Sequence, residues 1–270
     1  MPSTTPPNTL SIAGSDPSGG AGIQADLKAI SANGGYAMAA ITALTAQNTQ
    51  GVTGVELVAP EFVRAQIDAV FADIEVHAVK VGMIATAEIA AAVADALTAN
   101  RATNIVLDPV MVAKGGDRLL AEEAVTTLRE RLVPLATVIT PNLPEAAALT
   151  NQPEITRRQE MADLAAALLA LGPKAVLLKG GHLSGDQSPD LLLSDQGEAW
   201  FDGARVATKN THGTGCTLSA ALATQLALND SLEPAVQKAK AYIAGAIAGA
   251  DQLAVGSGHG PTHHFWAAST

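Results

Sequence analysis

The stretch that indicates the fold is Leu10-Ser-Ile-Ala-Gly-Ser-Asp-Pro-Ser-Gly-Gly-Ala-Gly-Ile-Gln-Ala-Asp26. A short apolar run at 10–13 leads into a loop with glycines at 14, 19, 20 and 22, and a helical pattern follows at 23–32. A strand, a glycine loop and a helix in this order are typical of a parallel α/β sheet. The N–H groups at the start of the helix could receive a ligand, and the alternative is a tight turn.

The same rhythm continues along the chain, with short β-rich runs alternating with longer helical patterns. Strands are predicted at 10–13, 39–44, 78–81, 105–107, 137–139, 175–178, 191–193, 199–201 and 206–208. Helices are predicted at 23–32, 61–71, 86–98, 121–132, 145–149, 160–171, 215–228 and 232–253. The strand signals between 191 and 208 lack helices between them, so an antiparallel meander at one sheet edge is expected there. The pattern predicts an α/β fold with a mostly parallel central sheet.

Composition excludes several classes of protein. The chain has 270 residues, 48% of them hydrophobic, which is enough for a large core. Its net charge of −10 opposes non-specific binding to nucleic acid or an anionic membrane, so neither is an expected partner. Cys216 is the single cysteine, which excludes an intrachain disulfide. No signal-peptide pattern occurs, so a cytoplasmic protein is expected, with a flexible N-terminus at 1–8 and a single domain at 9–270.

A second glycine-rich segment reads Asn210-Thr-His-Gly-Thr-Gly-Cys-Thr-Leu-Ser-Ala-Ala221. Gly213 and Gly215 allow successive backbone N–H groups to point into one hole at the start of a helix, which suits a phosphoryl group in transfer. Cys216 falls in the first helical turn, where the helix dipole is expected to lower the pKa of the thiol toward neutrality. The thiol is therefore a candidate base, and the alternative is a small buried residue facing the sheet.

Polar residues also follow other predicted strands. Lys179 is positioned to bind phosphate, and Asp108, Asn142 and Glu145 are hard oxygen donors suited to Mg²⁺. Each of them has a structural alternative: Asn142 could cap a turn, for example, and Lys179 could be solvated. The histidines show no metal-ligand spacing with the cysteine, and no catalytic role is assigned to His182, His212, His263 or His264.

Taken together, these segments closely resemble the bacterial hydroxymethylpyrimidine/phosphomethylpyrimidine kinases of thiamine biosynthesis, within the ribokinase-like superfamily. The resemblance covers nearly the whole chain. It rests on residues 12–28, Ile41-Thr-Ala-Leu-Thr-Ala-Gln-Asn-Thr49, Lys80-Val-Gly-Met83, Leu107-Asp-Pro-Val-Met111, Ile139-Thr-Pro-Asn-Leu-Pro-Glu-Ala146, Leu178-Lys-Gly-Gly-His182 and Asn210-Thr-His-Gly-Thr-Gly-Cys-Thr217.

The resemblance implies a three-layer α/β/α sandwich, a homodimer, and transfer of the γ-phosphoryl group of ATP. The first acceptor would be the hydroxymethyl oxygen of 4-amino-5-hydroxymethyl-2-methylpyrimidine, and the second the phosphate of that product. The implied pyrimidine-binding residues are Ala21, Asp26, Gln47, Met83 and Val110. The implied anion hole is Gly213, Gly215 and Cys216; Lys179 and Thr214 would contact the nucleotide, and Asp108, Asn142 and Glu145 would lie near Mg²⁺.

Two alternative functions stay open at this point. Related chains phosphorylate the hydroxymethyl arm of pyridoxal or pyridoxine, so a pyridoxal or pyridoxine kinase is the first alternative. A pyridoxal specialist could form a Schiff base with a lysine, and the block around Gln47 and Met83 contains only Lys80, whose direction strand parity leaves open. The second alternative is a non-catalytic pyrimidine-binding protein, which the intact Gly213-Thr-Gly-Cys216 segment argues against.

Overall fold

The structure, a computed structural model, describes residues 5–111, 122–229 and 231–268. The strands are β1 Asn8–Ala13, β2 Tyr36–Ile41, β3 Ala43–Asn48, β4 Gly51–Leu57, β5 Ala78–Val81, β6 Ile105–Leu107, β7 Val138–Ile139, β8 Ala175–Lys179, β9 Asp190–Ser194 and β10 Gly197–Phe201. The helices are α1 Gly22–Ala32, α2 Pro60–Asp73, α3 Ala87–Ala99, α4 Glu122–Thr127, α5 Leu143–Thr150, α6 Met161–Leu169, α7 Thr214–Leu228 and α8 Leu232–Ala248. Within these ranges, no helix combines the length and apolar character that crossing a bilayer requires.

The central sheet has eight strands in the order β10-β9-β8-β7-β6-β5-β1-β2. The strands from β8 to β2 in this order pair in parallel, and β9 and β10 add two antiparallel pairings at one edge. This confirms the predicted mostly parallel sheet with an antiparallel edge. The carboxyl ends of β1, β5, β6, β7 and β8 therefore meet at one side, where ligands bind in open α/β sheets.

Helices cover both faces of this sheet, which confirms the expected α/β/α sandwich. On one face, apolar residues such as Leu10, Val79 and Leu107 pack against α2 through α6. On the other face, residues such as Ala78 and Val106 pack against α7 and α8, and α1 packs on α7. Because the parallel strands are buried on both faces, their sequences read as continuous apolar runs rather than alternating ones.

A small antiparallel sheet of β3 and β4 stands apart from the central one. The single strand predicted at 39–44 is therefore wrong, because it spans the end of β2 and the start of β3. The chain changes direction at Thr42, whose N–H donates to the carbonyl oxygen of Ala13 and whose hydroxyl donates to that of Met83. The sequence analysis missed β4, since Gly51 and Gly54 weaken its strand pattern.

Other predicted boundaries also need correction. The strand predicted at 206–208 is absent, and Thr208 instead hydrogen-bonds Asp251 through its side chain. The helix predicted at 232–253 ends at Ala248, where glycine follows. The helix predicted at 121–132 contains α4 and a π-helical turn at Leu128–Leu132, and its first residue lies outside the described ranges. Asn8 belongs to β1 rather than to the N-terminal segment, whose residues 1–4 also lie outside those ranges.

Candidate active site

Polar residues from several strand ends converge on the first turn of α7. Asp108 directly follows β6, and an isolated parallel bridge holds Asn142, after β7, beside Lys179 at the end of β8. A Cβ atom at Gly215 would lie 3.3 Å from both Asp108 Oδ2 and Lys179 Nζ. The structure thus brings the residues predicted to bind phosphate and metal next to the glycines of α7.

The start of α7 is formed by glycines and threonines. The N-cap residue is Gly213, which has no side chain to cap the helix. The N–H of Thr214 donates to the carbonyl oxygen of Thr211 at 3.3 Å, whereas the N–H groups of Gly215 and Cys216 have no hydrogen-bond partner among the described residues. Gly213 has a φ of +76°, and a side chain there would overlap the carbonyl oxygen of Gly20. Position 213 therefore requires glycine. The hydroxyl of Thr214 donates to the carbonyl oxygen of Thr211 at 2.7 Å, which stabilises the same loop.

Cys216 lies in that first turn and is half-buried. Burial raises the pKa of its thiol to about 11; Lys80 lowers it, whereas Asp26 and Asp108 raise it further. The predicted shift of the pKa toward neutrality is wrong for the free protein, because burial and two carboxylates raise the pKa of the thiol. A hydrogen bond from the N–H of Gly22 also reaches the thiol. Cys216 therefore lies between the two glycine-rich loops.

Asp108 and Lys179 form a shielded ion pair. Lys179 Nζ lies 2.9 Å from Asp108 Oδ1, and the Thr140 hydroxyl donates to the same oxygen at 3.0 Å. Burial opposes ionisation, yet Lys179 and Lys80 hold the pKa of Asp108 below its ordinary value. Burial also opposes the charge on Lys179, whose pKa Asp108 and Glu145 hold above its ordinary value. Both groups are therefore charged near neutral pH, the state that suits phosphate and a divalent cation.

Asn142 and Glu145 form the capping box at the start of α5. Asn142 Oδ1 accepts from the N–H of Glu145 at 2.9 Å, and Glu145 Oε2 accepts from the N–H of Asn142 at 2.8 Å. Burial raises the pKa of Glu145 to about 7, with Lys179 opposing and Asp108 reinforcing the shift. The side chain of Asn142 thus has a structural role as the cap of α5, and its predicted role in binding metal stays a prediction. Glu145 retains acceptor capacity for a cation or a water.

Asp26 lies beneath the site in an ion pair with Lys80. Lys80 Nζ lies 2.7 and 2.9 Å from the two Asp26 oxygens, and the Ser11 hydroxyl donates to Oδ2 at 2.6 Å. Both charged residues have 0% exposure. Although burial opposes the charged form, Asp26 holds the pKa of Lys80 above its ordinary value. The predicted contact of Asp26 with the pyrimidine stays a prediction, since the structure gives this carboxylate partners within the protein instead.

Three further predicted pyrimidine residues lie beside the strand ends. Met83 follows β5, and its methyl group approaches Gly14 so closely that a side chain at position 14 would overlap it. Ala21 immediately precedes α1, and a Cβ atom at Gly213 would lie 3.2 Å from its Cα. Val110 is half-buried, and its N–H donates to the carbonyl oxygen of Asp108. Their binding of a pyrimidine stays a prediction.

Gln47 reaches the site from β3 and lies beside a histidine that the sequence analysis passed over. Its Oε1 accepts from Thr45 Oγ1 at 3.2 Å, and its Nε2 lies 3.5 Å from His212 Nε2. His212 Nε2 in turn lies 2.7 Å from Asp16 Oδ2, a partner 196 positions away in sequence. The separation explains why His212 was missed. Asp16 was detectable, since Asp-Pro-Ser-Gly is a strong turn signal.

Asp16 organises the first glycine loop. Its carboxylate accepts from the N–H groups of Ser18, Gly20 and Ala21 at distances between 2.8 and 3.2 Å. These N–H groups are thus satisfied within the loop, and the structure favours the tight-turn alternative there over an anion site. The predicted anion site at the start of α7 stays a prediction.

The motifs around this site match a known family. The phosphomethylpyrimidine kinase family model matches residues 16–263. The chain belongs to the phosphomethylpyrimidine kinase family. Within this family, the hydroxymethylpyrimidine/phosphomethylpyrimidine kinase of Escherichia coli strain K12 is 54% identical over 260 residues, which make up 96% of this chain and 98% of that protein.

Solved structures agree with this membership of the phosphomethylpyrimidine kinase family. A phosphomethylpyrimidine kinase from Clostridium difficile 630 has a TM-score of 0.78 and 44% identity, covering 88% of this chain and 97% of that one. An ADP complex of Bacillus subtilis pyridoxal kinase has a TM-score of 0.91 and 36% identity, covering 98% of this chain and 100% of that one. These likenesses confirm the predicted ribokinase-like fold.

The comparisons favour the predicted kinase over both alternatives. The E. coli relative is 54% identical, whereas the B. subtilis pyridoxal kinase is 36% identical. Lys80, the lysine with which a pyridoxal specialist could form a Schiff base, is held in its ion pair with Asp26.

Proposed function

We propose that the protein transfers the γ-phosphoryl group of ATP to 4-amino-5-hydroxymethyl-2-methylpyrimidine and then to the phosphate of that product, in thiamine biosynthesis. The observation that carries this proposal is the uncapped first turn of α7 beside the Asp108–Lys179 pair. Polarised N–H groups, a lysine and a carboxylate in one place suit phosphoryl transfer, which depends chiefly on positioning and on stabilising charge. Residues 9–270 would act as one kinase domain.

Each group near α7 has a part in the first transfer. The alcohol oxygen bonds to the γ-phosphorus, the bond from that phosphorus to the ADP oxygen breaks, and the alcohol proton passes to the sulfur of Cys216. This step needs the thiolate, which is the minor form in the free protein near neutral pH because burial raises the pKa of the thiol to about 11. The N–H groups of Gly213, Gly215 and Cys216 stabilise the charge on the moving phosphoryl oxygens. Lys179 and Thr214 hold the phosphates of the nucleotide.

Magnesium is the metal that fits the neighbouring side chains. Asp108 and Glu145 supply hard carboxylate oxygens, and Asn142 holds Glu145 through the capping box. Among the described residues no three His, Cys, Asp or Glu side chains cluster as a complete metal site, so waters and ATP oxygens would complete the coordination. Bound Mg²⁺ neutralises charge that develops on the phosphates.

Glu145→Gln is expected to reduce activity, because the change keeps the shape of the side chain and removes one negative charge. The lost activity should return partly at high Mg²⁺. Since the pKa of Glu145 is raised to about 7, the carboxylate forms as the pH rises through that value. The apparent Mg²⁺ affinity should therefore increase with pH in the wild type and increase less in the variant. Titrations of activity with Mg²⁺ at several pH values measure this.

Glu198→Gln is the matched control for that experiment, because Glu198 is exposed on the edge strand β10. Its Mg²⁺ titration should equal that of the wild type. A folded Glu145→Gln protein whose activity stays low at every Mg²⁺ concentration would show that Glu145 orients a water or a loop rather than serving the metal.

Gln47→Leu is expected to raise the pyrimidine KM roughly 5- to 150-fold, with the ATP KM almost unchanged. The amide of Gln47 offers a donor and an acceptor together, which matches a ring nitrogen beside an exocyclic amine. Its loss leaves polar atoms of the ligand unpaired. Gln196→Leu, in the exposed turn before β10, is the control. A parallel rise in both KM values would assign Gln47 to scaffolding.

The proposed function is tested by ADP release with three acceptors: the pyrimidine alcohol, its monophosphate and pyridoxal. We expect turnover with the first two, and a lower kcat/KM with pyridoxal. The proposal fails if neither pyrimidine supports turnover, or if pyridoxal equals or exceeds them.

The protein is further proposed to act as a homodimer in the cytoplasm, where ATP is supplied. Support comes from Leu44, Val55 and Leu57 on the small sheet, which are 47–50% exposed although apolar. Light scattering at micromolar concentration should give the mass of two chains. The mass of one chain would contradict the proposal.

A further inference from the structure

One buried contact joins the two glycine-rich loops of the site directly. His212, from the loop before α7, places Nε2 2.7 Å from Asp16 Oδ2 in the loop before α1. The side chains are only 9% and 1% exposed. Water therefore competes little with this contact, and a buried bond to a charged group is stronger than an exposed one.

The other partners of Asp16 determine which group donates in this contact. Asp16 Oδ1 accepts from the N–H and the hydroxyl of Ser18, and Oδ2 accepts from the N–H groups of Gly20 and Ala21. Burial opposes ionisation, yet hydrogen bonds from His212 and Ser18 hold the pKa of Asp16 below its ordinary value. An ionised carboxylate is an acceptor only. The Nε2 atom of His212 therefore carries a hydrogen and donates the hydrogen bond to Asp16.

The two loops also touch through their glycines. A Cβ atom at Gly20 would lie 2.5 Å from His212 Cδ2, and one at Gly213 would overlap the carbonyl oxygen of Gly20. From the other side, the N–H of His212 donates to the carbonyl oxygen of Gly260 at 3.0 Å. The imidazole is thus fixed at its backbone and at its Nε2 end.

We propose that His212 is a positioning residue, whose bond to Asp16 sets the distance between the acceptor side of the site at Ala21 and the anion hole at Gly213–Cys216. This inference rests on the proposed function, because it assigns these loops to the pyrimidine and to the moving phosphoryl group. Transfer requires the attacking oxygen, the phosphorus and the leaving oxygen in line, and a misplacement of about 1 Å costs on the order of 100-fold in rate.

The test compares His212→Leu with His212→Gln. Leucine fills the space without a donor, whereas glutamine can place an N–H near the position of Nε2. We expect His212→Leu to lower kcat by about 10- to 100-fold, with the pyrimidine KM and the Kd measured calorimetrically without ATP changed less than about threefold. His212→Gln should recover most of the lost kcat.

Asp16→Asn breaks the same contact from the other loop and keeps the test decisive if His212→Leu does not fold. It should show the same loss of kcat with little change in Kd, and the double variant with His212→Leu should lose no more than the worse single variant. The inference is overturned if folded variants keep kcat within threefold of the wild type, if Kd rises as much as kcat falls, or if leucine and glutamine at 212 give equal losses. A wild-type protein that phosphorylates neither pyrimidine would overturn the proposed function itself, and this inference with it.

Discussion

Cys216→Ser is expected to lower kcat for the pyrimidine alcohol by about 10²–10⁴-fold, the usual contribution of a general base. Serine keeps the size and the hydrogen-bonding capacity of the side chain, but its oxygen does not ionise in the accessible pH range. Pyrimidine binding should stay nearly intact. Steady-state rates, with chemistry shown to be rate-limiting, measure the effect, and an unchanged kcat would remove Cys216 from the role of base.

The second transfer supplies an internal control for that variant. Its acceptor is a phosphate, which is already largely ionised near pH 8 and has no proton that a base must remove. Cys216→Ser should therefore impair transfer to the monophosphate far less than transfer to the alcohol. Equal losses with both acceptors would mean that the side chain at position 216 acts by shaping the anion hole.

The ionisation of the Cys216 thiol can be measured by alkylation, because Cys216 is the single cysteine of the chain. Only the thiolate is alkylated by iodoacetamide, so the rate follows the thiolate fraction. With the pKa raised to about 11, the rate should still be increasing well above pH 9. A rate that reaches its plateau near pH 7 would show instead that the pKa of the thiol is lowered, as expected from the helix dipole alone.

Lys80→Met is expected to lower the free energy of unfolding by about 3–5 kcal/mol, which is the usual cost of leaving one charge of a buried ion pair without its partner. The Asp26 carboxylate would keep only the Ser11 hydroxyl as a partner among the bonds described for it. Without Lys80, the buried carboxylate of Asp26 stays protonated up to a higher pH. Because its unpaired charge forms only at high pH, the loss of stability is greater at high pH than at low pH. Urea unfolding at several pH values measures both effects.

The double variant Lys80→Met/Asp26→Leu separates the charge from the packing. It removes both ions and keeps apolar volume between β5 and α1, so we expect most of the lost stability to return. A double variant as unstable as Lys80→Met alone would show that the lysine stem, rather than its charge, supports the fold. Arg64→Met is the surface control, since its exposed ion pair with Asp68 should contribute at most about 1 kcal/mol.

Local patterns were sufficient where one element alone decides the structure. β5 and β6 occupy the predicted residues, because short apolar runs between polar and glycine signals are strands buried on both faces. The capping box of α5 was also available in the sequence, since Asn142 is followed three positions later by Glu145. The break between β2 and β3 at Thr42 could not be predicted from the sequence, because it depends on contacts with Ala13 and Met83 on neighbouring segments.

By itself, the sequence determined the order of strands and helices, the parallel sheet, and the glycine loops at its carboxyl edge, since periodicity and turn chemistry act over a few residues. Only the tertiary structure decided which charges meet. Strand parity could not show that Lys80 turns to Asp26, and sequence distance hid the contact of His212 with Asp16. The helix dipole at Cys216 is a local effect, but burial and the carboxylates that raise its pKa come from other elements of the fold. Electrostatic energies depend on distance and burial in space, and neither can be read from neighbouring positions along the chain.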